Sequence, residues 1–178
     1  MVDNFRKSVV KITNGSRMES RMRIGSGFVV QVAFDKIYII TATRIIEGDP
    51  NPSVEFFGNR EFKAKVLSAD GENIPDDVLP ISLSEQNVRN LFLQLDKRDE
   101  VIFTFGFPRG GAELAYTEVS YSGQKGRSLL FSGNIYEGNV GSPLIKGNRV
   151  IGMIIRRGGF VEAISALAIR EFIQGTIN

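Results

Sequence analysis

Among its 178 residues the chain has neither histidine nor cysteine. A hydroxyl attacks a carbonyl usefully only when a neighbouring base takes its proton, and a thiolate is the other common nucleophile. Serines stand at three places of interest: Ser26 in Gly25-Ser26-Gly27-Phe28, Ser132, and Ser142 in Gly138-Asn139-Val140-Gly141-Ser142-Pro143-Leu144. None has a histidine partner, and spacing assigns no lysine to any of them. The same absences argue against a transition-metal site of ordinary protein ligands, and no cofactor is implied. The residues left to do chemistry are charged. Arg156 and Arg157 end the apolar run Val150–Ile155, and in a strand two consecutive side chains point to opposite faces, so at least one charge must reach the surface.

The elements that must position these residues read as mainly β. Short runs rich in Val, Ile, Phe and Tyr alternate with turns of Gly, Asn, Asp and Ser, and 19 glycines suit many tight turns. Gly147-Asn148, between Leu144-Ile145 and Val150-Ile151, predicts a hairpin. Only the tail from Ser165 to Ile173 has helical spacing, with Ser165 as its N-cap and Gly175 as its end. The length fits one domain or two tightly packed subdomains, and 42% hydrophobic residues supply cores for both. The segment 84–98, polar at both ends around Leu91-Phe92-Leu93, is the expected connector.

Twenty-two basic and 20 acidic residues leave a net charge of +2, too balanced to announce nucleic-acid binding. Arg17, Arg21 and Arg23, and Lys125 with Arg127, read as solvated loop charge. No run is apolar and long enough to span a membrane, and the first residues lack the layout of a secretory leader. The lack of cysteine points to a reducing, cytoplasmic setting.

Gly138–Leu144 resembles the nucleophile loop of trypsin-like serine proteases, Gly-Asp/Asn-Ser-Gly-Gly-Pro-Leu, with Val140 at the serine position and Ser142 at the second glycine. Thr41-Ala42-Thr43-Arg44-Ile45-Ile46-Glu47-Gly48 is similar to the turn that carries the catalytic histidine in HtrA/Deg-like members, with Arg44 at the histidine. Asp77-Val78-Leu79-Pro80-Ile81-Ser82-Leu83 resembles the strand of the orienting aspartate, with Asp77 at that position, although Asp76 allows a register slip and an acidic turn before a strand is the plain alternative. Further matches in family order are Ser8–Ile12, Gly25–Val30, Gly106-Phe107-Pro108-Arg109-Gly110, Val150–Ile154 and Phe160–Ile164.

The resemblance implies two six-stranded antiparallel β-barrels of the trypsin type and a C-terminal helix, divided as 1–83, connector 84–98, 99–164 and helix 165–178. It also implies a pseudoprotease, because valine has no proton to lose and arginine stays protonated. Arg44 and Asp77 are expected to pair across the old cleft. By the same analogy Gly138 and Val140 carry the oxyanion-hole amides, Asn134 floors the specificity pocket, and Ile155, Arg156 and Arg157 lie on its wall strand. The expected role is a protein- or peptide-binding module of bacterial type, taking an acidic or extended segment. A charge-protected edge strand, a weak hydrolase and a structural scaffold are the alternatives.

Overall fold

The computed structural model describes residues 2–16, 23–56, 60–67, 101–111, 113–126, 128–147 and 149–177. The elements run α1 (Val2–Ser8), β1 (Val9–Asn14), β2 (Arg23–Val32), β3 (Ile37–Thr41), α2 (Thr43–Ile46), β4 (Ser53–Phe56) and β5 (Arg60–Lys63). After the undescribed middle come β6 (Ile102–Gly106), β7 (Ala115–Lys125), β8 (Ser128–Gly133), β9 (Pro143–Lys146), β10 (Arg149–Arg157), β11 (Val161–Ser165) and α3 (Ala166–Ile177). Strands β6 to β11 close a six-stranded antiparallel barrel in the order β10-β11-β8-β7-β6-β9. Strands β1 to β5 form a curled sheet, β3-β2-β1-β4-β5, and the described residues do not close it. The expected sixth strand, with Asp77, and the connector 84–98 lie outside the described residues.

Three apolar clusters follow from the period-2 patterning. In β1, Val10 and Ile12 face into the curled sheet with Ala42, Ile45 and Val54. Ile102, Val119, Leu129, Phe131, Leu144, Ile151 and Ile154 fill the closed barrel. Between the two units lies a third cluster, in which Val9, Phe28 and Ile40 of the first meet Phe103, Phe105, Met153 and Ile155 of the second. Strand β6 is buried along its whole length because Ile102 serves the barrel interior while Phe103 and Phe105 serve this shared layer. The two units therefore hold each other in one orientation, and the loops at their junction inherit it.

Lys146 faces Arg149 across the expected hairpin, and Gly147 takes the positive φ of 60° that the tight turn requires. Helix α3 begins where the spacing indicates: the Ser165 hydroxyl accepts the Ala168 N–H at 3.3 Å, as an N-cap does. It does not stop at Gly175 but continues to Ile177. Its packing through Ala168, Ile169, Phe172 and Ile173 on the shared layer outweighs a glycine cost of about 1 kcal/mol. Helix α1 was not signalled by spacing; Phe5 seats it on the same layer. Ser165→Ala is expected to cost about 1 kcal/mol and lower Tm by roughly 2–4 °C, read from thermal unfolding.

Candidate functional site: a nucleophile-type loop plugged into the first sheet

The loop between β8 and β9 enters at Ile135 and Tyr136 and makes one 3₁₀ turn over Glu137–Asn139. The Asn139 side-chain oxygen accepts the Tyr136 N–H at 3.2 Å, closing the start of the turn. The Val140 N–H donates to the Glu137 carbonyl at 3.1 Å, and the Ser142 N–H to that of Asn139 at 2.9 Å. Gly141 follows with φ +91°, and its N–H donates to Ile154 of β10 at 2.7 Å. The Ile154 N–H returns to Ser142 at 2.9 Å. The Val140 amide is thus spent inside its own turn, so in this conformation it is not an oxyanion donor with a free N–H.

The loop is tied equally firmly to the first sheet. The Ser26 N–H donates to the Val140 carbonyl at 2.8 Å. The Ser26 hydroxyl donates to the Gly138 carbonyl at 2.7 Å and accepts the Phe107 N–H at 3.2 Å. One small side chain thereby joins β2, the loop, and the turn after β6. A Cβ at Gly138 would run into the Phe107 carbonyl oxygen, and one at Gly141 into that of Ser26. The glycines of the motif are required by this close approach whether or not any chemistry takes place.

Val140 has no exposed surface, and it packs with Val10, Ile12, Ala42, Ile45 and Val54 in the core of the first sheet. Ala42 and Ile45 flank Arg44 on the α2 turn, so the fold does bring the Arg44 turn and the Val140 loop together. Arg44 itself is half-buried. Its carbonyl accepts Arg23 Nη1 at 2.8 Å, and the same nitrogen reaches Glu47 at 2.9 Å. Asn14, almost fully buried, donates to the carbonyls of Ile45 and Glu47 at 3.0 and 2.8 Å, so the end of this four-residue helix is capped from β1 and β2. Arg23 therefore holds the turn and is not a solvated loop charge. Arg17, Arg21 and Arg127 lie outside the described residues, as does Asp77 with its expected pairing to Arg44. Lys125, mostly exposed, reaches Glu162 at 3.9 Å.

The other serines are placed unequally. The Ser26 hydroxyl is fully engaged, and Ser132 is exposed on β8. Ser142 is wholly buried, with its hydroxyl pressed against Gly106 and without a hydrogen-bond partner among the described residues. Among the described residues, no hydrogen bond joins a base to any of these three hydroxyls.

At the rim, β10 departs from simple alternation. Ile154 opposes Ala163 and Arg156 opposes Glu162, so Ile155 is the extra residue of a β-bulge. Ile154 and Ile155 are both buried, in different clusters, and Arg156 and Arg157 are both exposed. The bulge precedes both arginines, which oppose the consecutive residues Glu162 and Val161, so their side chains leave opposite faces of the strand end and both are exposed there. Asn134, the expected pocket floor, is exposed, and the neighbouring Ile135 is buried in the barrel. Ile155 is likewise a core residue and offers no side chain to a ligand. Two contacts had no sequence signal. Arg157 Nη1 donates to the Ile135 carbonyl at 3.2 Å. Arg109, in the left-handed region at φ 56°, lies 4.6 Å over the Tyr136 ring, a cation–π contact that offsets part of its backbone strain.

A closed barrel joined to a curled sheet, with a Gly-x-x-Gly loop clamped at their junction, defines the trypsin-like class of domain. The trypsin-like peptidase domain family matches residues 25–153, and the chain belongs to that family. It is 24% identical over 152 residues to the mitochondrial Protease Do-like 4 of Arabidopsis thaliana, covering 75% of this chain and 27% of that protein. The chain thus spans about a quarter of that relative's length. Among solved structures, the active form of the Rv3671c protease from M. tuberculosis superposes with a TM-score of 0.67 at 18% identity, over 98% of this chain and 83% of that one. The serine endoprotease from Yersinia pestis gives 0.68 at 22%, over 99% and 65%. These likenesses carry the fold.

Proposed function

We propose that this domain has lost peptidase chemistry and binds an extended, acidic segment of a partner protein along the end of β10. The observation that carries the reading is a strand that outruns its neighbour. The pairing of β9 with β10 ends at Met153, yet β10 continues to Arg157, paired only with β11 among the described residues. Ile154 is satisfied by the loop. From Ile155 onward no described strand pairs with the opposite edge, and a strand added there gains main-chain hydrogen bonds without needing a nucleophile. Arg156 and Arg157, exposed on opposite faces of that strand end, favour carboxylates on a strand added there. Against hydrolysis stand the absence of histidine, the buried Val140 and its engaged amide; loss of the serine or the histidine from a triad costs on the order of 10⁶ in kcat.

The test is affinity capture from native lysate with wild type and Arg156→Glu/Arg157→Glu, read by mass spectrometry. Wild type is expected to hold a partner that the variant releases. Retention by both moves recognition to another surface and favours a scaffold. A parallel fluorophosphonate labelling experiment is expected to be blank; labelling abolished by Ser142→Ala would restore the hydrolase reading.

A further inference from the structure

Arg157 does more than add charge to the rim. Its guanidinium reaches from the end of β10 to the Ile135 carbonyl, spanning the two segments between which a partner side chain would have to enter. Ile135 is 6% exposed and locked in the barrel core, and its N–H is bonded to Gly133 at 3.0 Å, so the carbonyl is a fixed anchor. The bond to it is long, 3.2 Å, against about 2.7–2.9 Å for a guanidinium on a carboxylate. A neutral carbonyl occupies one of five donors, and among the described residues no carboxylate neutralises Arg157. Arg109, stacked on Tyr136, brings a second exposed cation to the same short segment; Glu137 is the exposed acid beside it.

We propose that Arg157 is the specificity-determining residue of the β10 edge: it bars side-chain insertion between β10 and Ile135 and seats one carboxylate of the bound segment on its remaining donors. The inference rests on the strand-addition reading and names what that strand must carry. A planar fork held at one end by Ile135 is already oriented, so less rotamer freedom is lost when it takes a carboxylate in bidentate fashion. Either an acidic side chain or a terminal carboxylate provides that group.

Fluorescence anisotropy with three labelled peptides of one alternating Val/Thr body separates the possibilities. The first carries an internal Glu and an amidated end, the second has no acid but a free C-terminal carboxylate, and the third has Gln and an amidated end. Wild type is expected to bind the first or the second at least about tenfold more tightly than the third, and which of the two gains identifies the carboxylate's source. Arg157→Gln is expected to erase that preference while still binding the third peptide, and Arg157→Lys to restore only part of it, because an ammonium lacks the fork. Equal binding of all three by wild type, or an undiminished preference in Arg157→Gln, overturns the carboxylate seat and leaves strand addition standing. Failure of every peptide to bind overturns both. Arg157 is exposed, so neither variant threatens folding, and a thermal melt verifies this.

Discussion

Gly141→Ala is expected to unfold the protein or to lower its stability by about 4 kcal/mol. Two costs coincide at this position. The residue sits at φ +91°, where an L side chain pays roughly 1–3 kcal/mol in backbone strain. The added methyl group also runs into the Ser26 carbonyl oxygen, and overpacking against fixed atoms typically costs about 1–3 kcal/mol more. Backbone atoms of β2 cannot yield as a flexible side chain does, since this strand is paired with both β1 and β3. Gly138→Ala tests the steric part by itself, because Gly138 lacks the positive φ but faces the Phe107 carbonyl oxygen. Urea unfolding of the two variants measures both. A loss below about 1 kcal/mol in Gly141→Ala would mean that the loop is not clamped between the two units. The close approach by itself requires glycine at both positions, whatever chemistry the loop performs.

Val140→Asp is the second large effect, with an expected loss of about 4 kcal/mol or failure to fold. The side chain has no exposed surface and its neighbours are Val10, Ile12, Ala42, Ile45 and Val54. A carboxylate placed among them must either stay charged without a partner or take up a proton, and both are costly. Val140→Ser is the milder companion, expected at about 1–3 kcal/mol, because it trades two buried methyl groups for a hydroxyl. Combining it with Arg44→His is expected to yield no cleavage of a casein substrate, since the amide of residue 140 remains bonded to Glu137. Regained cleavage in that double variant would show that the turn opens readily. Valine at 140 is accordingly a core residue of the first sheet, and the junction between the two units depends on it.

Much of this protein was determined by the sequence alone. The β-rich patterning, the family of the loop, the Gly147-Asn148 hairpin and the Ser165 cap are local features: each depends on residues a few positions apart. The absence of histidine and the valine at 140 are legible without any structure. Tertiary structure decided what those residues face. Strand alternation requires at least one of Arg156 and Arg157 to reach the surface; the tertiary structure exposes both, on opposite faces of the strand end, and places a bulge at Ile155 before them. The Gly138–Leu144 motif leaves open whether the amide of Val140 points at a ligand; the 3₁₀ turn, pinned by Ser26 from a strand more than 100 positions away, turns it inward. The spacing does not show which of Asn134, Ile135 and Ile155 pack inside; the fold leaves Asn134 exposed, buries Ile135 in the barrel and buries the Ile155 side chain in the shared layer. Gly175 did not end α3, because packing against the shared layer outweighs one residue's propensity. Periodicity and motif specify local backbone, whereas register, bulges and long-range hydrogen bonds specify which way each group points, and those arise only when the two units close on each other.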